Sequence, residues 1–136
     1  MDDLEEIKQL KARYFRALDT KDWAALREVL SDDVTVDTAE SGGGTVRGAD
    51  DFIAFLQQVL AGTVTVHHGH MPEIRLTSPT SATGTWALQD LVVWPDGTRM
   101  EGYGHYHETY EATGDRWRIT SLTLTRLHMD IVAGGS

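Results

Sequence analysis

The stretch ATGTWALQDLVVWPDGTRMEGYGHYHETY, residues 82–110, holds two runs of alternating side chains on either side of a turn. The turn, WPDGTR, carries the proline, aspartate and glycine that suit a hairpin connection. Alternation with a period of two residues is typical of β-strands. The stretch therefore predicts a long antiparallel hairpin, with strands at residues 82–94 and 99–110.

Two further runs flank this hairpin, at residues 64–76 and 117–127. The segments that connect them to it, TSPTS and EATGDR, again carry Pro, Gly or Asp. Long strands joined by tight turns predict an antiparallel sheet in the second half of the chain.

The first half of the chain has helical periodicity instead. The segments DDLEEIKQLKARYFRALD, residues 2–19, and ADDFIAFLQQVLAG, residues 49–62, are both amphipathic, and Trp23, Leu26 and Leu30 mark a shorter helix between them. DVTVDT, residues 33–38, alternates as a short strand, and ESGGGTVRG, residues 40–48, is typical of a glycine-rich turn. Apolar residues recur every three or four positions in the first helix: Leu4, Ile7, Leu10, Tyr14 and Leu18. Helices that must cover one face of a following sheet predict a single α+β domain over residues 1–136.

The composition argues against several classes of function. Twelve Lys and Arg against 21 Asp and Glu give a net charge of −9 at pH 7, and no basic run could neutralise phosphates, so we expect no nucleic-acid partner. The chain has no cysteine, which excludes disulfides, thiolate metal ligands and cysteine nucleophiles. Its acidic start and short apolar runs predict neither a signal peptide nor a membrane span, and we expect a cytoplasmic protein.

Three of the six histidines lie in TVHHGH, residues 65–70. Successive side chains of a strand point to opposite faces, so His68 and His70 share one face and His67 points to the other. A histidine beside valines in a strand is often a hydrogen-bonded structural residue. The pattern alone leaves open whether any of the three has a chemical role.

A metal site is one alternative. His68 and His70 form an H-x-H pair, and His105 and His107 in GYGHYHETY form a second. Two such pairs on adjacent strands could supply four imidazoles for Zn, Fe or Ni, somewhat as in a cupin. The chain lacks the rest of the cupin glycine and proline pattern, and we predict no metal ligands.

A catalytic site built from residues elsewhere is the second alternative. Tyr14 and Asp19 stand near the end of the first helix, and Asp90 shares a strand face with apolar residues such as Trp86. Removal from water would favour the protonated form of Asp90, which could act as an acid or a hydrogen-bond donor. The same sequence is also consistent with an Asp90 side chain that points outward at the rim of the sheet.

Four segments resemble, in the same order and at nearly the same spacing, those of SnoaL-like proteins of the nuclear-transport-factor-2-like (NTF2-like) superfamily, and among them the bile-acid 7α-dehydratases. The segments are EIKQLKARYFRALDTKDW, VHHGHMPEI, TSATGTWALQDLVVWPDG and YHETYEATGDRWRI, and the resemblance covers about residues 4–120. It implies a cone in which three helices and a strongly curved, mainly antiparallel sheet enclose an apolar pocket. It also implies a small hydrophobic substrate and no cofactor.

The resemblance assigns catalytic roles to Tyr14, Asp19, His67 and Asp90. His67 would be the base, Asp19 would orient it, Tyr14 would hydrogen-bond the oxygen on which charge develops, and Asp90 would protonate the departing hydroxyl. The implied enzyme is a lyase. It would remove a proton alpha or vinylogous to a carbonyl and eliminate water from a steroid-like or polycyclic hydroxy-ketone.

Five further residues are candidate substrate contacts. Phe55 and Trp86 suit a flat hydrophobic ligand. His70 matches a histidine of the family, whereas Tyr103 and His105 stand where the resemblance is weak and could select a different ring system.

Two other functions fit the same residues. In an isomerase or cyclase of the ketosteroid or polyketide type the base would shuttle a proton and nothing would leave, and in a binding module the polar groups would only orient a ligand. We also expect a homo-oligomer, a dimer or trimer, because the outer face of the sheet must be covered.

Overall fold

The computed structural model describes residues 2–135 and shows three helices packed on one curved, open sheet of six strands. The elements are α1 (Asp3–Asp19), α2 (Trp23–Val29), β1 (Leu30–Asp37), a 3-10 turn (Ala39–Ser41), β2 (Thr45–Arg47), α3 (Ala49–Val59), β3 (Val64–Ser78), β4 (Ser81–Val93), β5 (Arg99–Thr113) and β6 (Arg116–Val132). The strand order is β2-β1-β6-β5-β4-β3. The α+β class and the cone of three helices on a curved sheet are confirmed.

Local capping fixes where the two N-terminal helices begin and end. The side chain of Asp2 accepts a hydrogen bond from the backbone N–H of Glu5 at the start of α1, and Asp22 does the same for Ala25 at the start of α2. Between the helices, Lys21 adopts a left-handed conformation, with a φ of 59°. This sharp turn stops α1 at Asp19 and leaves that carboxylate at the helix end that faces β3.

The sheet is mixed, which the sequence pattern did not predict. β1 pairs with β6 in parallel and with β2 antiparallel, so two short strands extend the four long ones. Leu30 opens β1 rather than closing α2, because its backbone is already extended. β2 lies inside the segment predicted as a glycine-rich turn, and its three residues are too few to show alternation.

The four long strands form an uninterrupted antiparallel meander from β3 to β6. Gly97 and Gly114 take the left-handed conformation in the two later turns, as a tight hairpin connection requires. The inner face of the sheet and the helices enclose the core, and β4 alternates strictly between buried and less buried residues. Among residues 2–135 no helix has both the length and the hydropathy to cross a membrane.

Candidate active site

A cavity of about 350 Å³ lies between the helices and the inner face of the sheet. Apolar side chains line most of it, among them Phe52, Phe55 and Leu122. Its polar or charged side chains are those of Tyr14, Thr38, Ser41, His67, Asp90, Tyr106 and Arg126. A larger surface hollow of about 520 Å³ beside α1 and α2 is lined mainly by polar and charged residues and contains none of the predicted site residues. The apolar cavity, which contains the predicted catalytic residues Tyr14, His67 and Asp90, is therefore the candidate active site.

His67 and Asp19 form a dyad in the wall of this cavity. The Nδ1 atom of His67 lies 2.7 Å from Oδ1 of Asp19, and Oδ2 of Asp19 accepts the backbone N–H of His67 at 2.8 Å. A carboxylate at Nδ1 selects the tautomer with hydrogen on that nitrogen. Nε2 is then an unprotonated acceptor on a side chain that lines the cavity.

Neighbouring side chains hold the dyad in place. The hydroxyl of Thr65 donates to Oδ1 of Asp19 at 3.0 Å and accepts from Nζ of Lys21 at 2.8 Å. The ring of Phe15 stacks on the His67 ring at a centroid distance of 6.3 Å. Gly69 makes room for Phe15, since a Cβ there would approach its ring within 2.6 Å. The imidazole is thus fixed by a hydrogen bond at one edge and by an aromatic ring on one face.

Two buried phenols, Tyr14 and Tyr106, line the same cavity. Burial raises the pKa of Tyr14, and the negative charges of Glu108 and Asp19 raise it further. Burial also raises the pKa of Tyr106 well above its usual value. Within residues 2–135 neither hydroxyl has a hydrogen-bond partner. Both are therefore neutral donors available to an oxygen in the cavity.

Asp90 is buried, as expected, but not as an isolated acid. Its Oδ1 and Oδ2 accept hydrogen bonds from Nη1 and Nη2 of Arg126 at 2.7 and 2.9 Å. A bidentate guanidinium pair requires an ionised carboxylate with both oxygens accepting. The expectation that burial would leave Asp90 protonated is therefore corrected: its partner is a cation that the sequence analysis did not consider.

The Asp90–Arg126 pair depends on the absence of a side chain at Gly102. Gly102 lies opposite Asp90 in the sheet register, and a Cβ there would approach Oδ1 of Asp90 within 2.5 Å and collide with the Arg126 guanidinium. Arg126 is also tied to the loop after β1, since its Nε donates to the Ser41 hydroxyl at 2.8 Å and its backbone N–H donates to Glu40. This pair therefore connects two sheet strands to the loop at the cavity.

The five predicted substrate contacts lie in three different parts of the fold: the cavity, the core and the outer face of the sheet. Phe55 lines the cavity. Trp86 lies in the core instead, where its Nε1 donates to the Tyr110 hydroxyl at 3.0 Å. Tyr103 and His70 are exposed, and His105 is half-buried, on the outer face of the sheet.

Strand alternation explains the placement of the last three residues. Tyr106 occupies the inner face of β5, so the odd-numbered neighbours Tyr103 and His105 point outward, and His70 points away from His67 on β3 for the same reason. None of the three lines the cavity.

The two H-x-H pairs are not on adjacent strands. His68 and His70 lie on β3, His105 and His107 lie on β5, and β4 runs between them. The pairs are thus two strand spacings apart, roughly 9–10 Å between backbones, and not on neighbouring strands as the metal alternative assumed. In the described part of the chain no three His, Asp or Glu side chains are grouped as a metal ion would need.

Three charged or polar residues of this region were not among the sequence-based candidates, although the sequence pattern marks the position of each. Arg126 follows Leu122 and Leu124 at two-residue spacing, which places it on the inner face. Lys11 continues the apolar stripe of α1, and Tyr106 falls on the face opposite the H-x-H pair. In each case a charged or polar residue occupies a position that the period assigns to the buried face.

Known proteins that are similar to this chain identify its family. The model of the SnoaL-like domain matches residues 1–123. The chain belongs to the SnoaL-like family. Its sequence is 25% identical to a probable cyclase of Gibberella zeae over 143 aligned positions, which cover 93% of each chain.

Several solved structures have the same fold over most of their length. A Kribbella flavida protein has a TM-score of 0.86 at 25% identity, with 94% of this chain and 93% of that chain covered. A hexachlorocyclohexane dehydrochlorinase has a TM-score of 0.85 at 19% identity, with 96% and 89% covered. A candidate scytalone dehydratase of Novosphingobium aromaticivorans has a TM-score of 0.82 at 18% identity, with 97% and 91% covered. The SnoaL-like assignment is confirmed.

Proposed function

We propose that this SnoaL-like protein is a cofactor-free dehydratase of small polycyclic or steroid-like hydroxy-ketones. The observation that carries the proposal is the Asp19–His67 dyad, whose Nε2 stands in the wall of an apolar cavity beside two neutral phenols. A base, an oxyanion site and an apolar enclosure are what proton removal next to a carbonyl requires.

The first step is removal of a carbon-bound proton, alpha or vinylogous to the substrate carbonyl. Nε2 of His67 takes the proton, and Asp19 stabilises the imidazolium that forms. The electron pair of the broken C–H bond moves to the carbonyl oxygen, which becomes an enolate. Tyr14 and Tyr106 donate hydrogen bonds to that oxygen, because burial keeps both phenols protonated.

The second step expels the hydroxyl group. The enolate collapses, the carbon–carbon double bond forms, and the bond to the leaving oxygen breaks. Asp90 accepts from Arg126 at both oxygens and has no proton to give. We therefore assign the proton to the His67 imidazolium, which returns it to the departing hydroxide as water and regenerates the neutral base.

Names among the comparisons support elimination chemistry on this fold. One similar structure is that of a candidate scytalone dehydratase and another that of a dehydrochlorinase, and these two names imply loss of water and of hydrogen chloride. The 25% identical relative is named a cyclase, which favours a second candidate. In a cyclase or isomerase the same base would move a proton and no group would leave.

The experiment is a mass and absorbance assay with β-hydroxy ketones of two, three and four rings. The cavity volume of about 350 Å³ is near the lower end of ordinary ligand pockets, so we expect the two- and three-ring members to react best. Loss of water with a new conjugated absorbance supports the dehydratase. A product of unchanged mass supports the isomerase or cyclase, and saturable binding of every member without turnover supports a binding module.

A further inference from the structure

A buried ion pair lies directly beneath the two phenols. Nζ of Lys11 is 2.6 Å from Oε2 of Glu108, and both side chains are 0% exposed. Oε1 of Glu108 accepts the hydroxyl of Tyr110 at 2.6 Å, and that hydroxyl accepts from Trp86. Each oxygen of Glu108 thus accepts a hydrogen bond from a side chain that does not line the cavity.

The ammonium group of Lys11 is enclosed by aromatic rings. It lies 3.9 Å from the ring centroid of Tyr14, 3.8 Å from that of Tyr106 and 4.6 Å from that of Phe15. Phe15 is the ring that stacks on His67. One cation therefore touches both candidate oxyanion donors and the ring that supports the base.

A buried ion pair stabilises a protein core less well than apolar side chains of similar size often do. Removing two charges from water costs several kcal/mol per ion, and well-packed apolar residues of similar volume are often equally or more stable. Burial does lower the pKa of Lys11, against the opposing effect of Glu108. Stability alone gives no reason for a lysine at this position of α1.

We propose that Lys11 is a positioning residue for the oxyanion site: its ammonium, held by Glu108, orients the rings of Tyr14 and Tyr106 and strengthens both hydroxyls as hydrogen-bond donors. A cation against the face of a phenol stabilises the negative charge that the ring oxygen acquires when it donates to an enolate. Glu108 opposes this effect, since its negative charge raises the pKa of both phenols, but the ammonium lies only 3.9 and 3.8 Å from the two ring centroids, and we expect its effect to dominate. Lys11 touches no substrate and acts only through the two rings. The inference rests on the proposed function for the role of the phenols.

The test uses 2-naphthol as a probe of donor strength. Bound naphtholate resembles an enolate, and its absorbance differs from that of naphthol, so a pH titration gives the pKa of the bound probe. We expect the wild type to lower that pKa below its value in water. The double variant Lys11→Met/Glu108→Gln removes both charges together and leaves no unpaired ion in the core.

We expect this variant to remain folded and to raise the pKa of bound 2-naphthol by about one unit relative to wild type, a roughly tenfold loss in the bound naphtholate ratio. With a substrate from the ketone panel, kcat should fall while KM changes little. Lys11→Gln/Glu108→Gln, which can keep a neutral hydrogen bond, serves if the first variant does not fold. Ile119→Val, a fully buried change outside the cavity lining, controls for lost packing.

The outcomes separate the two proposals. A folded charge-free variant with the wild-type pKa for bound 2-naphthol would overturn the role of Lys11 and leave the dehydratase proposal standing. If wild type itself fails to lower the pKa of the probe, the oxyanion site is absent and the proposed function fails with it. A loss seen equally in Ile119→Val would assign the effect to packing and also overturn the inference.

Discussion

Asp19 contacts His67 at two points, through Nδ1 of the ring at 2.7 Å and through the backbone N–H at 2.8 Å. One carboxylate therefore orients the imidazole and also anchors the strand that carries it to the end of α1. The capped turn that stops the helix at Asp19 makes this double contact possible. The position of the candidate base is thus set by a helix terminus as much as by the sheet.

Replacing Asp19 by Asn should slow the reaction by about a hundred- to ten-thousandfold with little change in KM. The amide keeps the shape but can present hydrogen to Nδ1, which favours the wrong tautomer. Single-turnover rates measure the effect. Asp22→Asn is the matched control, because Asn caps a helix as well as Asp does and the hydrogen bond of the Asp22 side chain is to Ala25 of α2, away from His67. Equal rates for the two variants would contradict the dyad.

Tyr14→Phe and Tyr106→Phe should each reduce kcat by about a hundredfold with KM nearly unchanged, since each removes one donor to the enolate. Tyr103→Phe removes a hydroxyl from the outer face and should leave both constants at their wild-type values. Steady-state kinetics on the best ketone decide. A large loss in Tyr103→Phe would restore the sequence-based assignment of that residue to the substrate site.

The buried tyrosines predict a specific alkaline behaviour. The pKa values of Tyr14, Tyr106 and Tyr110 are all raised, chiefly by burial. Of the four tyrosines, at most one should form tyrosinate in the folded protein up to about pH 11, whereas all four should do so in urea. The ultraviolet absorbance of tyrosinate measures how many tyrosines are ionised in the folded and in the unfolded protein. Two or more tyrosinates in the folded protein at that pH would contradict the enclosed phenols.

The same pKa shifts make stability depend on pH. A tyrosine whose folded pKa is raised stabilises the fold fully below its unfolded pKa of about 10, and that contribution is lost as the pH rises through the folded pKa. Lys11 has a lowered pKa and contributes the opposite slope, but only below about pH 10.5, where its unfolded form still binds a proton. Urea unfolding above that pH should therefore show a free energy of unfolding that falls with pH.

Gly102→Ala should separate Asp90 from Arg126, because the new Cβ would occupy the space of both charged groups. We expect a loss of about 1–3 kcal/mol in the free energy of unfolding, as for other overpacked sites, together with reduced turnover. Gly135→Ala is the control, since its Cβ would meet no atom within 4 Å. Urea denaturation compares the two. An unchanged stability for Gly102→Ala would show that the ion pair has room to move.

Much of the fold could be predicted from the sequence because the segments with helical or strand periodicity are long. The stripe Ile7, Leu10 and Leu18 predicted α1, and alternation in residues 82–94 predicted a strand that the structure places at Ser81–Val93. The parallel pairing of β1 with β6 could not be predicted, because it joins residues far apart in the sequence, such as Leu30 with Ile119, and spans only a few positions.

Parts of the candidate site could likewise be predicted from local sequence pattern, and other parts could not. His67 could be separated from His68 by alternation alone, since it depends on one strand. The charged residues that determine the chemistry of the site pair with residues far away in the sequence. Arg126 on β6 pairs with Asp90 on β4, and Lys11 on α1 pairs with Glu108 on β5. Burial of Asp90 was predicted from its strand face, but its ionisation depends on a residue that no local pattern linked to it.

The most direct test of the central claim compares His67→Gln with His68→Gln on the best β-hydroxy ketone of the panel. The two histidines are adjacent on β3 and face opposite sides of the sheet, so the variants differ only in which face loses an imidazole. The dehydratase account predicts that His67→Gln forms the conjugated product about a hundred- to ten-thousandfold more slowly, as for a lost general base, while His68→Gln keeps the wild-type rate. Equal rates in the two variants, or a loss confined to His68→Gln, would contradict it.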